Sequence, residues 1–99
     1  MDTNYENYYR DNEYQENEGL FRNIFKKRYN IISKYIKSPR TVLDIGCSNG
    51  IFLDLFNNSE TWGVEPSKIG DRAQVKGHRV ISEYFEKAQL PVNYFDLII

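Results

Sequence analysis

Between Val42 and Ser67 the residue types and their spacing suit the binding of a nucleoside. An apolar run, Val42-Leu43-Asp44-Ile45, meets Gly46-Cys47-Ser48-Asn49-Gly50, and a second run ends on Glu65. Gly46 lets the chain turn sharply off a strand end, and Gly50 lets backbone approach a ligand closely. A helix starting near Asn49 would aim free N–H groups into that space and favour a negatively charged group there. Glu65, at the carboxyl end of the neighbouring strand, is placed to accept hydrogen bonds from both hydroxyls of a ribose. Either glycine could instead serve only strand-to-helix packing in any doubly wound sheet, the less favoured reading. Glu65 in register with them tips the reading toward a ligand crevice.

Other candidates for chemistry are sparse. Cys47 reads as a small buried residue beside the loop rather than a nucleophile. His78 reads as a surface turn residue, and with no second histidine a metal site has little support. A nicotinamide or flavin site would ask for Gly-x-Gly-x-x-Gly, which the loop lacks.

The elements that must position these residues follow from hydrophobic patterning. Residues 1–19 form a polar, tyrosine-rich acidic arm without a sustained period, read as irregular or briefly helical. Leu20, Phe21, Ile24, Phe25, Ile31, Ile32, Tyr35 and Ile36 recur at helical spacing, predicting one amphipathic helix over Leu20–Lys37 that Pro39 terminates. Strands are expected at Thr41–Ile45, Thr61–Glu65, His78–Ile81 and Tyr94–Ile99. Short helices are expected at Ile51–Phe56 and Lys68–Lys76. Strands alternating with helices imply an α/β fold with a doubly wound parallel sheet. Trp62 is expected to pack beneath a helix.

Composition narrows the class. The 99 residues carry 13 basic and 14 acidic side chains, with 40% hydrophobic and 27% charged residues, the balance of one small globular domain. No apolar run approaches the roughly 20 residues that span a bilayer, and Met1-Asp2-Thr3 opens no signal peptide. A single cysteine excludes an internal disulfide. A cytoplasmic protein with no membrane partner is expected. The seven bases and no acids of residues 21–40 read as the solvated face of a helix rather than a nucleic-acid site.

Three stretches resemble the class I S-adenosylmethionine-dependent methyltransferases. Val42 to Gly50 is similar to their first motif, with Ser48 standing where the central glycine usually lies. Gly63-Val64-Glu65-Pro66-Ser67 resembles the second motif, whose acid holds the cofactor ribose. Leu90-Pro91 with Tyr94-Phe95-Asp96-Leu97-Ile98-Ile99 resembles the entry into the fourth strand. The resemblance covers residues 20–99 and implies a Rossmann-like sheet. It implies cofactor contacts from Asp44, Gly46, Cys47, Ser48, Asn49, Gly50, Glu65, Pro66 and Ser67, with Glu83 and Tyr84 beside adenine. The arm and first helix resemble members that methylate small molecules or sugars, in which Tyr8 and Tyr9 could form a lid.

The family's sheet runs 3-2-1-4-5-7-6, of which this chain supplies 3-2-1-4. The expectation is therefore the amino-terminal, cofactor-binding half of a methyltransferase domain, with its catalytic residues beyond Ile99 and the chain inactive alone. Asp96, near the amino end of the fourth strand, lies on the wrong side for methyl transfer. Two other readings stay open: a non-catalytic binding or assembly module, and a fragment of a nucleotide-cofactor oxidoreductase. An uncovered sheet face after the fourth strand implies self-association or a place in a longer protein.

Overall fold

Thr41–Ile45 (β1) lies at the centre of a four-stranded, all-parallel sheet in the computed structural model, which describes the backbone of residues 3–99 and the side chains of residues 18–99. Glu60–Val64 (β2) pairs with one edge of β1 in the register Thr41↔Glu60 to Ile45↔Val64. Leu97–Ile98 (β4) pairs with the other edge, Val42 opposite Leu97. Arg79–Ile81 (β3) lies outside β2, so the order is β3-β2-β1-β4, as the family resemblance implies. The pairing of β4 extends past its two residues on either side. Asp96 N–H donates to Thr41 C=O, and the N–H groups of Ile99 and Ile45 bond Leu43 C=O and Ile99 C=O.

Successive strand residues point to opposite faces, and the two faces here have different fates. Val42, Val80, Leu97 and Ile99 join Cys47, Phe52, Leu53, Phe56 and Ala73 in the core beneath the helical layer. That layer consists of Thr3–Ile32 (α1), the 3₁₀ turn Leu53–Leu55 and Gly70–Val75 (α2). A chain of ring contacts from Phe25 to Phe52, Phe52 to Phe56 and Phe56 to Tyr29 seats α1 on the sheet. The opposite face carries Leu43, Ile45, Trp62 and Ile98. There Trp62 packs edge-on against Tyr94 and Phe95 rather than under a helix, with the Arg79 guanidinium over its ring.

Several boundaries differ from the sequence reading. The helix begins at Thr3 and runs unbroken through the acidic arm. No proline interrupts that arm, and acids early in a helix complement its dipole. Tyr8 and Tyr9, weighed as a lid against ordinary packing of the arm, lie outside the described side chains. The helix ends at Ile32 instead of Lys37, because Lys34 and Tyr35 bond three residues back and the Ser33 hydroxyl takes Asn30 C=O. Its buried stripe is narrower than the apolar pattern suggests. Phe25, Tyr29 and Ile32 pack inward, whereas Leu20, Ile24, Ile31 and Tyr35 are exposed. Ile51–Phe56 is not a regular helix but a 3₁₀ turn at Leu53–Leu55. A further 3₁₀ turn, Phe85–Lys87, follows β3.

Candidate functional site

The loop between β1 and the first 3₁₀ turn is held by its own backbone. Gly46 N–H and Cys47 N–H both donate to Val64 C=O at the end of β2, which fixes the loop's start over the sheet. Gly46 has φ 78°, and a Cβ there would meet nothing within 4 Å. Its bare side borders a cavity of about 320 Å3 lined by Phe25, Arg28, Asp44, Ile45, Gly46, Cys47, Asn49, Phe52 and Ile99. The cavity lies at the carboxyl end of β1, where parallel sheets bind their ligands.

Two opposite charges face this cavity. Asp44 is 8% exposed, and burial pushes its carboxyl from 3.8 up to about 7, with Arg28 working against the rise and Glu65 adding to it. Arg28 reaches in from α1, its guanidinium 5.6 Å from the Phe25 ring centre and 5.9 Å from that of Phe52. Stacking on two rings orients the planar group without neutralising it. Sequence reading left Arg28 among the solvated bases. Arg28 is indeed exposed, but its place one helical turn after Phe25 and one before Ile32, beside the buried stripe, sets it at the cavity's edge and separates it from its neighbours.

Glu65 sits directly after β2 with no exposed surface. Its Oε1 accepts Ser48 N–H at 2.9 Å, and its Oε2 accepts Ser67 N–H at 3.1 Å and the Ser67 hydroxyl at 2.8 Å. The carboxylate thus ties the first loop to the second, bringing Ser48, Glu65 and Ser67 together. Pro66 lies between them, half-buried. Glu83 and Tyr84 follow β3 and are exposed, outside the lining of the Asp44 cavity.

The cradle of free N–H groups expected at Asn49 does not form. Gly50 N–H bonds Cys47 C=O, Ile51 N–H bonds Asn49 Oδ1, and Ser48 N–H is taken by Glu65. Without a regular helix there is no row of amides to present. Gly50 is bare toward protein: a Cβ there would come within 2.8 Å of His78 and 2.9 Å of the Ala73 side chain. Cys47 is buried, and Gly63 is bare because any side chain would collide with the Cys47 thiol.

His78 is not a surface turn residue. Its Nδ1 lies 2.6 Å from Thr61 Oγ1 and its Nε2 2.8 Å from Asp54 Oδ1, while Lys76 Nζ bonds Asp54 Oδ2 at 2.7 Å. These partners lie 17 to 24 positions away, beyond any local pattern. Asp96 lies at the amino end of the sheet, where its carboxylate accepts Arg40 N–H, far along the strand from Gly46.

A methyltransferase-domain sequence profile matches residues 12–99. The chain belongs to the methyltransferase family. The methyltransferase fold is shared with crystal structures of the plantazolicin methyltransferase BpumL holding SAH. The complex with a monoazolic desmethylPZN analog is 22% identical with a TM-score of 0.59, covering 91% of this chain and 37% of that one. The triazolic complex is 20% identical with a TM-score of 0.62, covering 90% and 38% respectively. This methyltransferase chain thus spans under two-fifths of the length of those proteins. No curated protein matches it. Among the described residues no helix is long and apolar enough to cross a membrane.

Proposed function

We propose that this chain binds S-adenosylmethionine and supplies the cofactor-binding half of a methyltransferase acting on a small-molecule or sugar acceptor. The observation that carries the reading is the pairing of Asp44 and Arg28 across one cavity above the bare side of Gly46. The amino-acid end of the cofactor carries an ammonium and a carboxylate. A buried carboxylate and a stacked guanidinium are the complementary pair. Glu65 is the group for the ribose, with Ser67 and Pro66 shaping its surroundings and Glu83 and Tyr84 at the adenine end. The presence of SAH in the BpumL structures supports the same choice of cofactor.

Bound there, the cofactor would present an activated methyl group to an acceptor oxygen, nitrogen or carbon. Transfer of this kind depends on positioning and desolvation, with a base for weakly nucleophilic acceptors. No residue of this chain is assigned that catalytic role. The exposed face bearing Ile45, Ile98 and Tyr94 supports self-association or docking of further sheet-covering structure.

Calorimetric titration with SAH tests the reading. Micromolar binding is expected, weakened at least tenfold by Asp44→Asn or Arg28→Ala. Affinity unchanged from the unsubstituted protein in both variants would sink the assignment, and tighter binding of NAD than of SAH would favour an oxidoreductase fragment.

A further inference from the structure

Helix α1 carries opposite charge at its two ends. From Thr3 to Gly19 it holds five acids and one base, and from Leu20 to Ile32 it holds four bases and no acid. Two of those four bases are engaged within the chain. Arg22 lies 3.2 Å from Glu18 and 3.6 Å from Asp54, and Arg28 stacks beside the Asp44 cavity. Lys26 and Lys27 are exposed and have no ionic partner among the described residues.

The side of α1 turned away from the sheet is not polar throughout. Phe25, Tyr29 and Ile32 pack inward, while Leu20, Ile24 and Ile31 are 58%, 43% and 57% exposed. Lys27 falls between the two isoleucines at helical spacing, so these four share one face. The same spacing carried toward the amino end of the helix meets Glu6, Tyr9, Glu13 and Glu16. That face is therefore acidic in its first half, and aliphatic with a base in its second.

The order of charge selects the partner. A nucleic acid or an anionic bilayer would attract the bases but repel the acids on the same face. A second copy laid antiparallel sets the acidic half of each helix along the basic half of the other, and a two-fold axis makes the two contacts identical. We propose that α1 is a self-pairing helix, joining two copies of this chain antiparallel through the face of Leu20, Ile24, Lys27 and Ile31. Laid end over end, Ile24 is level with Glu13 of the second copy and Ile31 with its Glu6, so Tyr9 comes between the two isoleucines. Lys27 is then about 4.5 Å along the axis from Glu13 of the second copy, within reach of its side chain. The pairing uses neither the open sheet face nor the residues lining the Asp44 cavity.

The test is sedimentation equilibrium of the 99-residue chain carrying Ile98→Lys, which removes the sheet face as a contact, with circular dichroism to follow the helix. Lys27→Glu and Glu13→Lys should each raise the dimer dissociation constant about tenfold or more, because symmetry sets like charges together twice. An equimolar mixture of the two variants, or both changes in one chain, should associate as tightly as the parent, which misfolded chains would not do. Unchanged affinity in both single variants, or no recovery in the mixture, overturns the pairing. So does a parent chain that stays monomeric at all concentrations, which would leave the sheet face as the only route to self-association.

Discussion

The His78 ring occupies the space that a side chain at Gly50 would need, with its Cδ2 within 2.8 Å of that Cβ position. The contact joins the end of the glycine loop after β1 to the start of β3. It also explains a glycine whose role looked ligand-directed. Ala73 closes the other side at 2.9 Å, and φ 85° at Gly50 adds a backbone requirement. Gly50→Ala should therefore lose about 2–4 kcal/mol of stability through overpacking and strain. Gly46→Ala meets open space and should lose about 1 kcal/mol from its left-handed backbone alone. Cofactor binding should respond in the opposite order, with Gly46→Val abolishing it. Urea denaturation beside SAH titration separates the two, and equal destabilisation by both alanines would count against the division.

The His78 clamp makes a second prediction. Removing the ring leaves Thr61 and Asp54 facing a hole near a cavity of about 260 Å3. His78→Ala should cost about 2–3 kcal/mol, the sum of a lost pair of hydrogen bonds and lost packing. Lys76→Ala, which removes an ion pair at the exposed edge, should cost under about 1 kcal/mol. Thermal unfolding of the two variants provides the comparison. A larger effect at Lys76 would show that the ion pair, not the imidazole, carries the clamp.

Asp44 should make stability depend on pH. Its carboxyl titrates near 3.8 in an unfolded chain and at about 7 when folded. Between those values the folded protein holds a proton that the unfolded chain has released. Stability is therefore greatest below pH 4 on this account and falls as pH rises through 7, by on the order of 4 kcal/mol in full. Asp44→Asn should flatten that slope. Denaturation curves at several pH values between 4 and 8 test it, and an unchanged slope in the variant would remove Asp44 as the cause.

The same group should couple cofactor binding to protons. A ligand ammonium favours the ionised carboxylate, so SAH affinity should rise from pH 6 to 8 with release of a proton. Calorimetry in buffers of differing ionisation heat measures that release directly. Identical heats in all buffers would contradict it.

The open sheet face should drive self-association of the 99-residue chain. Ile98 is 58% exposed there, beside exposed Ile45 and Tyr94. Burying one isoleucine contributes about 2 kcal/mol, so Ile98→Lys should shift the population toward monomer. Light scattering over a concentration series reads the shift. A monomer at all concentrations would rule out a second copy as the occupant.

The amino-acid order by itself made the strands, the sheet class and the glycine loop after β1 legible. Thr41–Ile45 and the run ending at Glu65 are short, apolar and bounded by turn residues, so strand periodicity and the glycine loop were readable locally. Element lengths were less so. The collapse of Ile51–Phe56 into a 3₁₀ turn depends on the surface that segment packs against, and propensity yields to that.

Partnerships across long separations were decided only by the tertiary structure. Nothing near Gly50 in sequence announces that His78 fills its space, and nothing near Arg28 announces Asp44. Trp62 looked like a core residue, but the face it occupies is set by its register with Leu43 and Arg79. Hydrogen bonding made the largest difference at the loop. Composition supplies amides and carboxylates there, but folding chooses which amide meets Glu65. Ser48 N–H took that bond, and its hydroxyl was left without one. A chain pattern records residue types at fixed spacing, whereas the satisfaction of buried polar groups is a property of their three-dimensional neighbours.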